Sequence, residues 1–131
     1  MRITAIYVAL SVLLVLVLAA RVSLGRYRAR VGLGSGGDED LLRRIRVHAN
    51  ALENLPLALL LLLMLDLAEL QPLWLHLFGI VLILGRILHA IGLSRSGGAS
   101  FGRATGTALT WGVMALMALL VLLQVVLRAQ L

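Results

Sequence analysis

The sequence predicts an all-α integral membrane protein that folds as one four-helix bundle. Of its 131 residues, 61% are hydrophobic and only 14% are charged, and the mean hydropathy is +1.03. A soluble domain is nearer half apolar and a quarter charged. Long uncharged runs recur along the chain, of the length that crosses a bilayer, with short polar connections between them. We expect a single domain over residues 1–131, with helices over about 2–30, 39–70, 72–94 and 102–128.

The same composition excludes several classes of protein. Intrinsic disorder requires low hydrophobicity, and a soluble enzyme of this length could not bury so much Leu, Val and Ile. The chain has no cysteine, which excludes a disulfide scaffold, a Cys-ligated zinc site and a protein thiol nucleophile. Its three His residues lack partners at ligand spacing, so we expect no metal site.

The first two helices are separated by a glycine-rich break. The uncharged run Ile3–Ala20 exceeds the apolar core of a signal peptide, so we expect a retained membrane anchor. Residues 33–37 end this helix, and the acids at 38–40 supply an N-cap and a first turn for the next. The uncharged stretch Asn54–Leu65 has only 12 residues, which is too short to span alone. The polar segment before it must therefore contribute to the span.

The last two helices follow a proline turn and a Ser- and Gly-rich loop. Pro72 suits the first position of the third helix, which is interrupted by Arg86 and His89. Residues 94–100 form the loop, and Ala104–Leu127 is an uncharged fourth span of 24 residues. We expect close helix packing at three glycines: Gly102, just before this span, and Gly106 and Gly112 within it.

The placement of arginine predicts the topology. All twelve basic residues are Arg, and the net charge of +6 would suggest nucleic acid in a soluble protein. Nine of them, however, lie in the connections after the first and third helices, against two at the other ends. This is the positive-inside signal, so we expect these loops in the cytoplasm, both termini in the periplasm of a bacterial inner membrane, and no nucleic-acid partner. An endoplasmic-reticulum membrane stays open as an alternative.

Polar residues within the second and third helices form the candidate site. At 100° per residue, one stripe of the second helix carries Arg43, Arg46, Asn50 and Glu53, and one stripe of the third carries Arg86 and His89. Ionisable groups inside a span usually face a bundle interior and mark function. Arg binds carboxylates, Glu an ammonium and Asn an amide, so facing stripes would bind a small, multiply charged molecule. The spacing leaves open an ion network that only joins the helices.

Two motifs resemble those of the MAPEG family, the membrane-associated proteins of eicosanoid and glutathione metabolism. The run Leu42–Pro56, LRRIRVHANALENLP, resembles the family's R-x-H-x-N-x-x-E-N-x-P core, and Gly85–His89 resembles its G-R-x-x-H. The resemblance covers essentially the whole chain and looks closest to the small bacterial inner-membrane branch. It implies a homotrimer in membrane lipid that holds glutathione between subunits near the cytoplasmic face.

The resemblance also implies roles for individual residues. Contacts with glutathione as co-substrate would come from Arg46, Asn50, Glu53, Arg86 and His89. Arg103 would be the catalytic residue, stabilising the thiolate of glutathione for attack on an apolar electrophile that arrives from the bilayer. At the end of the first helix Arg26, Arg28 or Arg30 matches a further family arginine, and we prefer Arg26.

Two positions depart from the family's pattern. Ala49 stands where the eicosanoid and transferase members usually carry Arg, and Leu93 stands where they often carry Tyr. By the resemblance, each change would remove a polar contact to glutathione. They leave open a non-catalytic membrane protein of the same fold, acting as a sensor, a structural protein or a small transporter.

Overall fold

The structure is a computed structural model that describes residues 2–96, 98 and 100–128. Four α-helices make up this part of the chain: α1 (Thr4–Ala29), α2 (Glu39–Leu67), α3 (Pro72–Arg95) and α4 (Phe101–Arg128). All four are long and apolar enough to cross a membrane. The predicted all-α integral membrane bundle is thereby confirmed.

The ends of α2 and α3 follow from their local sequence. The Asp38 carboxylate accepts a hydrogen bond from the backbone N–H of Leu41 at 2.9 Å and so caps α2. Pro72 occupies the first turn of α3, as predicted. At its other end α2 stops at Leu67 rather than near residue 70. The reason is Glu69, whose φ of 60° lies in the left-handed region that a right-handed helix cannot continue.

The third helix lies at the centre of the bundle. Half of the most apolar stretch of α3 is buried, against 17% of the corresponding stretches of α1 and α4. The core around it includes Leu82, Leu62 and Met117, none of which is exposed. The outer sides of α1 and α4 expose large apolar side chains, as lipid-facing surfaces do. Arg86 and His89 on α3 are therefore held inside the protein.

The backbones of α3 and α4 touch through glycines. A Cβ added at Gly92 would collide with the backbone nitrogen of Arg103, and one added at Gly106 would lie 2.5 Å from the Gly85 oxygen and the His89 nitrogen. Such contacts are impossible for larger residues, as is usual for small residues between membrane helices. This packing sets Arg103 beside His89.

The other two α4 glycines differ from each other. A Cβ at Gly102 would lie 3.1 Å from the carbonyl oxygen of Leu88, whereas one at Gly112 would meet no atom of the described chain within 4 Å. Close packing between helices of one chain is therefore confirmed for Gly102 and is not found at Gly112 among the described residues. Gly112 lies on the exposed face of the helix, and helical spacing alone does not say which face meets a neighbour.

The end of the bundle opposite the arginine-rich loops is joined by buried hydrogen bonds. The backbone N–H of Thr4 donates to Oδ2 of Asp66 at 2.8 Å. The hydroxyl of Tyr7 lies 2.8 Å from Nδ1 of His76. These contacts tie the start of α1 to the end of α2 and the start of α3.

Candidate functional site

A cavity of about 210 Å³ lies between α2, α3 and α4 at the arginine-rich end of the bundle. Its lining residues are Leu42, Arg43, Arg46, Asn50, His89, Leu93 and Arg103. Three of these are arginines and, among the described lining residues, none is acidic. The cavity is therefore positively charged and suits a ligand with carboxylates or other anionic groups.

One helical turn deeper in the membrane, Arg86 joins α3 to α2. This side chain is only 2% exposed, and its Nη2 donates a hydrogen bond to Oδ1 of Asn50 at 2.7 Å. The contact confirms that the polar stripes of α2 and α3 face each other. The Nε atom of Arg86 is buried and finds no hydrogen-bond partner within the described chain.

The Arg86 guanidinium determines which ring nitrogen of His89 carries the proton. Nη2 of Arg86 lies 3.3 Å from Nδ1 of His89. Since a guanidinium has only donors, Nδ1 must accept, and a neutral ring then carries its proton on Nε2. His89 is buried and lines the cavity. It therefore offers the site a hydrogen-bond donor rather than an acceptor.

Glu53 and Arg46 lie on the outer side of α2 beside the cavity. Oε1 of Glu53 is 3.7 Å from Nη1 of Arg46, and Nδ2 of Asn50 donates to Oε2 at 3.5 Å, so both contacts are long. The two charged side chains are 53% and 57% exposed. Glu53 precedes the end of α2 at Leu67 by 14 residues, or about 21 Å of helix, so in a span of roughly 30 Å its carboxylate would lie within the hydrocarbon layer. A carboxylate exposed to lipid at that depth is costly.

Arg43 also lines the cavity, although the family resemblance implies no role for it. Its terminal nitrogens lie 3.8 Å from Glu39 and from Asp40, and its Nε is buried without a partner in the described residues. Its neighbour Arg44 shares Asp40, with Nη2 at 2.6 Å, and reaches towards α1, where its Nη1 donates to the backbone oxygen of Arg21. The sequence feature that could have identified Arg43 is its place on the polar stripe of α2.

The structure separates Arg26 from the other predicted residues. Its Nη1 donates to the carbonyl oxygens of Gly32 at 3.3 Å and Gly34 at 2.8 Å, in the loop after α1. Of the seven residues predicted for the site, four line the cavity and two adjoin it through polar contacts. Arg26 alone lies outside, so within one chain it makes no contribution to this cavity.

Two residues that the sequence reasoning missed extend the polar network. Nδ2 of Asn54 donates to the backbone oxygen of Asn50 at 2.9 Å, and the indole Nε1 of Trp111 donates to Oδ1 of Asn54 at 3.2 Å. Asn54 follows Asn50 by one helical turn, which is the signal that could have found it. Trp111 has no such signal, because it lies on α4. Together they connect α4 to the α2 stripe.

Comparison with known proteins gives two consistent findings. The model of the MAPEG family matches residues 4–123. The chain is also similar to the inner membrane protein YecN of Escherichia coli K12, with 34% identity over 117 residues that cover 89% of this chain and 88% of that protein. The protein of the same name from E. coli O6:H1 (strain CFT073) matches to the same extent.

Proposed function

This chain belongs to the MAPEG family, and from that premise we propose that it is an integral inner-membrane protein that binds glutathione and activates its thiol. The observation that carries the proposal is the arginine-rich cavity between α2, α3 and α4, with a carboxylate and an amide at its edge. Glutathione has two carboxylates, one ammonium and two amides. Each of these groups would meet a side chain of complementary chemistry at the site.

The described contacts suggest how the tripeptide would be held. Arg43 and Arg46 are suited to its carboxylates, and the Glu53 carboxylate to its ammonium. Asn50 keeps its Oδ1 on Arg86 and has an amide hydrogen bonded only weakly to Glu53, at 3.5 Å. That hydrogen is available to a peptide carbonyl. The Nε2–H of His89 is a second donor.

A second subunit would complete the site. The cavity of one chain, about 210 Å³, is smaller than the roughly 300–1,000 Å³ of usual small-molecule sites. The exposed Glu53 carboxylate, at membrane depth, would also require a cover other than lipid. A neighbouring copy in a homotrimer would supply both the missing wall and this cover. Arg26 stays a predicted glutathione contact in that assembly.

The chemistry would depend on Arg103 at the start of α4. A guanidinium beside the thiol sulfur favours the ionised form by placing a positive charge next to the thiolate. The thiolate would then form a C–S bond to an electrophilic carbon, and the leaving group would depart with its electron pair. The other residues contribute by positioning glutathione. Leu93 supplies no hydroxyl to the sulfur, so charge is the remaining source of stabilisation at that end of the cavity.

Thermal unfolding of the detergent-purified protein, with and without millimolar reduced glutathione, tests binding. A ligand at about 100 times its dissociation constant stabilises the folded state by roughly 2.7 kcal/mol. We expect a rise in Tm for the wild type that is lost in Glu53→Ala. The matched control is Glu69→Ala, an exposed carboxylate at the opposite end of the bundle, which should keep the rise. No rise in the wild type would make the polar stripe a structural ion network.

Conjugation of glutathione to generic electrophiles tests the chemistry. Arg103→Ala should bind glutathione and lose most of its turnover, whereas Arg95→Ala, at the end of α3, should keep it. Unchanged turnover in Arg103→Ala would show that the thiolate role is wrong. The position of Leu93 in the cavity wall favours one alternative, a membrane protein that binds glutathione without catalysis. Binding without conjugation by the wild type would establish that alternative.

A further inference from the structure

A second cleft, open to the surface and about 700 Å³ in volume, lies at the C-terminal end of α1. Three arginines line it, Arg26, Arg28 and Arg30, together with Tyr27, and its described lining includes no acidic residue. We propose that this cleft binds the phosphate headgroup of an anionic phospholipid. The cleft shares no lining residue with the cavity between α2, α3 and α4, and its test relies on Arg28 and Arg30, because Arg26 is the predicted glutathione contact of the trimer.

Arg26 shapes the cleft, and the other two arginines are left for a ligand. The two hydrogen bonds from Arg26 to the carbonyls of Gly32 and Gly34 hold the loop against the end of α1 and form one wall. Arg28 and Arg30 are exposed. In the part of the chain that the structure describes, neither has a carboxylate within the 4 Å of an ion pair. Their charges are therefore uncompensated by the protein.

The backbone at Arg30 gives an independent reason to look for a ligand. Arg30 ends α1 with a φ of 54°, in the left-handed region. Glycine is the usual residue at this position because it has no Cβ to strain. An arginine kept there costs folding stability, and strained residues of this kind concentrate at functional sites. Arg30 lines the cleft, so this strained residue lies at the proposed site.

The depth of the cleft favours a lipid over a soluble phosphate. Arg28 follows Thr4 by 24 residues, or about 36 Å of helix, which exceeds the roughly 30 Å hydrocarbon layer. The arginines therefore lie at the headgroup level, where anionic lipids attract juxtamembrane basic residues. Tyr27 is 82% exposed beside them, in the position typical of an aromatic residue at a membrane interface.

Thermal unfolding in an uncharged detergent tests the ligand class. Dioctanoylphosphatidylglycerol should raise Tm with a saturable dependence on concentration, and dioctanoylphosphatidylcholine should not. Inorganic phosphate at the same concentrations should have no effect. Equal rises with the two lipids would overturn the proposal, since apolar contact would then suffice. A full rise with inorganic phosphate would assign the cleft to a soluble phosphate group instead.

The variant Arg30→Gly separates binding from folding. Without lipid its Tm should equal or exceed that of the wild type, because the backbone strain is relieved. Its apparent affinity for the phosphatidylglycerol should fall about fivefold, the effect of one basic residue at a membrane surface. Arg28→Gln should lose a similar factor. An unchanged affinity in both variants would refute the site.

Two controls isolate the cause of that loss. Glu69→Gly relieves the same left-handed backbone, φ 60°, at the other end of the bundle and should leave the lipid affinity unchanged. Arg95→Gln removes an exposed positive charge at the end of α3, outside the cleft, and should also leave it unchanged. A loss in Arg95→Gln as large as in Arg28→Gln would show that only the general charge of this face matters, and would overturn the proposal.

Discussion

The hydrogen bond from Arg86 to Asn50 is the contact on which the geometry of the candidate site depends. It joins α3 to α2 at 2.7 Å inside the membrane, and the arginine is almost completely buried. The perturbation is a double-mutant cycle with Arg86→Met, which keeps the apolar stem, and Asn50→Leu, which keeps the volume. The double variant replaces a polar pair by an apolar one.

The structure sets the size of each effect. A hydrogen bond to a charged group contributes about 1.5–3 kcal/mol in proteins, and interhelical ones in membranes reach about 1.7 kcal/mol. Asn50→Leu should be the costlier change and lower the free energy of unfolding by about 3 kcal/mol, because it removes the closer of the two contacts of a buried cation and leaves only Nδ1 of His89. We expect a coupling energy of about 1.5 kcal/mol, so the double variant should be more stable than the sum of the single effects predicts.

The assay is equilibrium unfolding of the purified protein in mixed micelles with increasing denaturing detergent. A coupling energy of 1.4 kcal/mol would appear as about a tenfold difference in the unfolding equilibrium constant. Arg86→Met combined with Arg44→Gln, on the opposite face of α2, is the control and should be additive. Additivity within about 0.4 kcal/mol for the Arg86 and Asn50 pair would refute the reasoning.

Three further predictions concern ligand binding, packing and topology. Arg43→Gln should weaken glutathione binding about fivefold or more, because the side chain lines the cavity. Arg44→Gln should leave this affinity unchanged and only lower Tm. Equal affinities of the two variants, in a glutathione titration followed by Tm, would contradict the role of Arg43. Gly106→Ala should destabilise the protein by about 1–3 kcal/mol, because the added Cβ has no room between α3 and α4. Gly112→Ala should be neutral or stabilising by up to about 1 kcal/mol. Similar unfolding curves for the two variants would show that α3 and α4 do not touch as described. Since the chain has no cysteine, Ser35→Cys is a clean topology probe, and an impermeant maleimide should label it only after the inner membrane is permeabilised. Labelling in intact spheroplasts would reverse the proposed orientation.

Most of the fold was predictable because it depends on properties that are local in the sequence. Helix length and apolar composition predict a membrane span without knowledge of its neighbours. The expected break after the first helix, the Asp38 cap and the Pro72 start all match the structure. The early end of α2 was not predictable, because Glu69 is an ordinary helix former and its left-handed conformation depends on the turn that follows.

The candidate site was predictable only in part. Helical periodicity correctly placed Arg46, Asn50 and Arg86 on stripes that meet, since residues three and four apart share a face. It could not show that Arg26 would bond to its own loop. It also could not show that Trp111 would reach Asn54, which lies 57 residues earlier in the chain.

By itself the sequence determined that this protein spans the membrane four times, and which residues of each helix share a face. Apolar length and a period of 3.6 residues are sufficient for both. Only the tertiary structure decided which faces meet and how closely. The backbone contact at Gly92 and Gly106 sets the distance between α3 and α4, and so brings Arg103 to the cavity. Packing between helices far apart in the chain determines this, and no local pattern contains it.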